Sequence, residues 1–88
     1  IMDKYTFEHM EAAATYVIKP SDGFLHSITI NTTAGGAITV YDSNAASGKV
    51  IAVLKSSVVE GTYIYDVNFI NGLTIVLAAA SDITVSFT

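Results

Sequence analysis

Thr62-Tyr63-Ile64-Tyr65-Asp66-Val67-Asn68-Phe69, Ile70-Asn71-Gly72 and Leu73-Thr74-Ile75-Val76-Leu77-Ala78 together settle the fold class. In the first segment Tyr63, Tyr65, Val67 and Phe69 fall on one side, with Thr62, Ile64, Asp66 and Asn68 opposite. A period of two is the mark of a half-buried β-strand. The Asn71-Gly72 pair reads as a hairpin signal of the type I′ kind. Leu73–Ala78 follows as a strand that is apolar on both faces.

Working outward, the same grammar repeats. Tyr5–His9 reads as a short first strand or arm, and Thr15–Lys19 as a second strand stopped by Pro20-Ser21-Asp22-Gly23. Phe24–Asn31 follows, with His26 in alternation with Ile28 and Ile30. Gly35-Gly36 is expected to turn the chain through positive φ. Ala37–Asp42 places Ile38 and Val40 inward and Thr39 and Tyr41 outward. Val50–Lys55 is apolar on both faces, and Ile83–Thr88 closes the chain with Ile83, Val85 and Phe87 aligned. Isoleucine, valine and threonine fill 10, 9 and 10 of the 88 positions. These β-branched residues suit a pleated surface and resist helix. Only Phe7–Thr15 has helical character, and it is too short for an independent helix. The expectation is an all-β fold, an antiparallel β-sandwich of jelly-roll or Ig-like type with about seven or eight short strands. Residues 1–14 are expected to form an N-terminal arm or first edge strand, and residues 15–88 the sandwich.

Composition removes several function classes. Hydrophobic types make up 51% and charged types 14%, which excludes intrinsic disorder. There is no cysteine, hence no disulfide framework or thiolate metal site. No apolar run approaches the roughly 20 residues of a spanning helix, and no signal peptide is legible near Asp3, Lys4, Glu8 and Glu11. Isoleucine at position 1 suggests a processed form or a fragment of a longer product. Four scattered lysines, no arginine and a net charge of −4 argue against nucleic acid and anionic membranes as partners.

No constellation of catalytic residues stands out. His9 and His26 read as structural histidines, with a shared metal site conceivable only if both meet at one end of the sandwich. Asp42, Asp66 and Asp82 read as residues at strand ends or turns, bonding their own backbone, not as a glycosidase pair. Asp42-Ser43-Asn44 lacks the further oxygen ligands of a calcium loop. No cofactor and no enzymatic activity are expected. Tyr41, Tyr63 and Tyr65 are weighed as a sugar-stacking platform and as core or subunit contacts, the second being preferred.

The imbalance that remains is apolar surface. Val50-Ile51-Ala52-Val53-Leu54 and Leu73–Leu77 are apolar on both faces, whereas a solitary sandwich keeps one face of each sheet polar. A small chain must cover such a face with a neighbour, so association with other copies of itself is expected. The candidate contact residues are Tyr41, Ile51, Val53, Ile64 and Val76.

Two runs, Gly23–Thr32 with Ile38–Gly48 and Glu60–Phe69 with Gly72–Val76 and Asp82–Phe87, make the chain resemble small structural proteins of tailed bacteriophages. The resemblance covers roughly Thr15–Thr88 and rests on strand-and-turn patterns. It implies a virion component, a capsid decoration (cement) or head-fibre subunit, whose partners are its own copies and the major capsid protein or another virion protein. Cross-linking neighbouring shell subunits would resist internal DNA pressure. The alternatives are a carbohydrate- or receptor-binding module of a phage fibre or tail, and an extracellular filament subunit joined by strand addition through residues 1–14.

Overall fold

The computed structural model describes residues 4–88. Its strands are β1 (Thr6–Met10), β2 (Ala14–Lys19), β3 (Gly23–Thr32), β4 (Ile38–Asp42), β5 (Lys49–Leu54), β6 (Gly61–Phe69), β7 (Leu73–Leu77) and β8 (Asp82–Phe87). No helix is present among the described residues. The Phe7–Thr15 stretch is extended, with a bend at Ala12-Ala13 between β1 and β2.

Two four-stranded sheets form, ordered β1-β8-β3-β6 and β2-β7-β4-β5, and every pairing is antiparallel. Four of the pairings are nested: β4 with β5, β3 with β6, β2 with β7 and β1 with β8. The chain is thus one long two-stranded ribbon folded over itself, and the β3–β8 and β4–β7 pairings stitch the folded ribbon into sheets. This is the jelly-roll solution among the sandwich topologies. Only β4 and β5 are joined within one sheet; all other connections cross between sheets.

That topology corrects the reading of Asn71-Gly72. The pair does not close a hairpin, because β6 and β7 lie in different sheets. Gly72 has φ +138, and a Cβ there would stand 2.9 Å from both the Lys19 and Ser43 carbonyl oxygens. Glycine is needed because the crossover packs against two backbones at once. The Gly35-Gly36 expectation is also corrected: neither residue has positive φ. Gly36 is required by close approach, since a Cβ would lie 2.7 Å from Ala79 Cβ.

The core lies between the sheets. Leu25, Ile28 and Ile30 of β3, Phe69 of β6 and Ile83, Val85 and Phe87 of β8 come from the first sheet. Ile38 and Val40 of β4, Leu54 of β5, and Leu73, Ile75 and Leu77 of β7 meet them from the second. Met10 at the end of β1 is buried among them, so the first strand contributes to the same core. The Cα extents are 35 × 30 × 17 Å, and the short axis accommodates two sheets about 10 Å apart.

Candidate assembly face and the outer polar network

The two outer faces of the sandwich differ in chemistry. On the second sheet, register sets two rows across all four strands. One runs Val17–Thr74–Tyr41–Val50 and the other Thr15–Val76–Thr39–Val53. None of the eight residues carries a charge, and all but Tyr41 are β-branched. Val17, Val50 and Val53 are 51%, 47% and 61% exposed, which marks this as an uncovered apolar surface. Thr74 is buried and donates its hydroxyl to the Ser43 carbonyl oxygen at 2.8 Å.

On the first sheet the outer face carries an internally bonded network of ionisable and polar side chains, alongside Phe7 and Ile64, which are 65% and 57% exposed. His9 Nε2 donates to Asp82 Oδ1 at 2.6 Å, tying edge strand β1 to β8. Asn31 Nδ2 donates to Asp82 Oδ1 at 3.1 Å and to Thr84 Oγ1 at 3.2 Å. Thr29 and Thr62 hydroxyls share a bond of 3.0 Å between β3 and β6. His26 Nδ1 donates to Asp66 Oδ1 at 2.5 Å, and Tyr5 stacks on the His26 ring with centroids 4.3 Å apart. The Asp82 carboxylate beside His9 holds the imidazole pKa above its ordinary value, first by hydrogen bonding and then by charge. The reciprocal bond from His9, and then that from Asn31, hold the Asp82 carboxyl below its ordinary value.

Several sequence expectations are corrected here. His26 does not share a face with Ile28 and Ile30. The register shifts between Leu25 and Ser27, and this bulge turns His26 outward to Asp66. Asp66 is not a strand-end residue; it sits within β6 at φ 49, in the bulged pair Tyr65-Asp66 that faces His26 alone. The two histidines do not meet, each having its own aspartate. Asp42 does not bond its own backbone but accepts the N–H groups of Ile70 at 2.9 Å and Asn71 at 2.7 Å. The tyrosines do not form a platform. Tyr41 is on the outer face of the second sheet, while Tyr63 and Tyr65 pack against the core of the first. Tyr63 donates its hydroxyl to the Val59 carbonyl, and burial pushes the Tyr65 hydroxyl pKa up.

Of the candidate contact residues, Tyr41, Val53 and Val76 come together on the outer face of the second sheet. Ile51 does not join them: it falls at the register shift in β5 and packs partly on the core. Ile64 pairs with Ser27 on the opposite outer face and is 57% exposed. Sequence reasoning passed over Val17, Val50, Thr15 and Thr39 as members of the face. The outward alternation of Thr39 and Tyr41 was the available signal, but extending it sideways needs the strand order. Among the described residues there is no enclosed pocket, and no helix is long and apolar enough to cross a membrane.

The described residues form an eight-stranded jelly roll. Among solved structures it is similar to the Drosophila NLP-core, whose crystal structure is described as providing insight into pentamer formation and histone binding. The two share 12% identity over 98% of this chain and 97% of that one, with a TM-score of 0.58. At that identity the likeness is one of fold. No protein-family model and no curated protein matches the chain.

Proposed function

We propose that this chain is a non-enzymatic structural subunit that associates with its own copies through the outer face of its second sheet. The observation that carries it is a charge-free face with exposed valines: all 12 formal charges lie outside the Val17–Thr74–Tyr41–Val50 and Thr15–Val76–Thr39–Val53 rows. Copies of an acidic chain repel one another at long range, and a contact patch without charges avoids placing like charges in a desolvated interface. Apolar burial then supplies the attraction, at about 25 cal/mol per Å² removed from water. A face of this extent needs additional contact area to reach the roughly 800 Å² per partner of a stable interface. A closed ring provides it, because each copy uses two different surfaces. The NLP-core, a chain of the same fold and nearly the same span, is described in terms of pentamer formation, which supports association of copies.

The resemblance of Gly23–Thr32, Ile38–Gly48, Glu60–Phe69, Gly72–Val76 and Asp82–Phe87 to tailed-phage structural proteins makes a capsid decoration or head-fibre subunit the setting we favour for this assembly. The partner beyond its own copies is then the major capsid protein or another virion protein, and the location is the virion. The carbohydrate-binding alternative loses its main support with Tyr63 and Tyr65 turned to the core. Strand addition is also less favoured, since β1 already pairs with β8 of the same chain.

Light scattering on the eluting wild-type chain and on Val53→Lys/Val76→Lys tests the assembly. An oligomer that becomes a folded monomer in the double variant is expected. A wild-type monomer at high concentration, or an oligomer unchanged by the two lysines, overturns it. Mass spectrometry of purified particles tests the virion setting separately.

A further inference from the structure

The outer polar network contains a group of side chains that the assembly face does not use. We infer that His9, Glu11 and Asp82 form a binding site for a divalent transition-metal ion of the zinc class, bridging edge strand β1 and β8. One ligand atom from each lies within 4.8 Å of the other two. The backbone explains the convergence. His9 and Glu11 are two residues apart at the end of an extended strand, so their side chains leave on the same face. Met10 pairs with Ile83, and one further step in that antiparallel register brings Glu11 beside Asp82.

The donor set selects the ion. An imidazole nitrogen with carboxylate oxygens suits zinc and its first-row neighbours. Calcium and magnesium favour all-oxygen shells, so the imidazole counts against them. Neutral His9 with two carboxylates carries two negative charges, which a divalent cation cancels. Among the described residues no lysine is paired with Glu11 or Asp82 to offset that charge. Asn31 donates to the same Asp82 Oδ1 that accepts from His9, and so helps to fix the carboxylate as outer-shell partners of metal ligands do. Three protein ligands leave open coordination positions for water or a donor from another molecule. The ion would take the place of the proton now held between His9 and Asp82 and would fasten β1 to its neighbour.

The molecule contains its own control. His26 with Asp66 is a second histidine–aspartate pair on the same face, at 2.5 Å, and among the described residues it has no third ligand. Zinc chloride is titrated into the full chain while the ring signals of both histidines are followed by NMR. The His9 signals are expected to move and saturate at one zinc per chain while His26 stays still. Glu11→Gln, an exposed substitution that leaves the strand pairing intact, is expected to weaken binding about tenfold or more, since losing even an outer-shell partner costs that much. Equal responses from both histidines, no response at millimolar zinc, or identical saturation in Glu11→Gln would overturn the site. Magnesium in place of zinc is expected to move neither ring, and saturation by magnesium would overturn the assignment to a transition metal.

Discussion

Replacing Asp42 with alanine tests whether one carboxylate holds the inter-sheet crossover in place. Asp42 ends β4 in the second sheet, and its Oδ1 accepts two N–H groups from the segment leaving β6 in the first. The bonds, 2.9 Å to Ile70 and 2.7 Å to Asn71, have the length of charge-assisted contacts. Each such bond contributes about 1.5–3 kcal/mol when its removal strands the partner. Ile70 and Asn71 are exposed, so water recovers part of that in the variant. Both bonds together therefore come to about 2–3 kcal/mol, below twice the single-bond figure because of that recovery. In a domain of this size that lowers Tm by about 10–15 °C. Asp42→Asn keeps an acceptor oxygen at the same place and is expected to lose less than half as much. The assay is urea unfolding of the three proteins at one fixed concentration, because association would otherwise move the midpoints. The midpoint should fall with an unchanged slope. A loss below about 0.5 kcal/mol for alanine, within the range of ordinary surface substitutions, refutes the reasoning. So does an asparagine variant as weak as the alanine one.

Gly72→Ala is expected to destabilise by about 2 kcal/mol or more, because the new methyl group meets two carbonyl oxygens at 2.9 Å and the backbone is held at φ +138. Urea midpoints check this, and a neutral effect would show that the crossover relaxes. The His9–Asp82 bond sets a pH dependence, measured with chelator present so that no metal intervenes. His9 has its folded pKa raised above 6.5, so its contribution is complete below 6.5 and is lost as the pH rises through the folded value. Asp82 has its folded pKa lowered below 3.8, so its contribution is present above 3.8 and is lost as the pH falls through the folded value. The difference in stability between wild type and His9→Gln is thus expected to be larger near pH 5 than near pH 8.5, and equal differences at the two would contradict it.

Strand positions were legible from the sequence because alternation is written locally. All eight expected strands occur with ends displaced by at most one residue, and Ile38 and Val40 face inward while Thr39 and Tyr41 face outward. Partnership was not legible. Nothing near Thr6 says that it will lie opposite Phe87, and nothing near Asn71 says that the next strand belongs to the other sheet. Local signals also failed where the period breaks. His26 is an extra residue against β8 and turns to the other side, and the shift at Ile51 removes it from the face it was assigned to. The polar pairs were invisible for the same reason: His9 and Asp82 are 73 positions apart, and His26 and Asp66 are 40. The charge-free face was partly visible as double-sided apolar strands. Its membership required knowing that β2, β7, β4 and β5 lie side by side in that order.

The folded-ribbon arrangement also bears on how the molecule reaches its native state. The innermost rung joins Asp42 to Lys49, and the outermost joins Thr6 to Phe87. Closing the outermost rung first would enclose nearly the whole chain, whereas zipping from the β4–β5 bend shortens the gap left for each later rung. The bend is therefore the natural seed. Substitutions around Tyr41 and Val50 should slow folding, while those in β1 should mainly hasten unfolding.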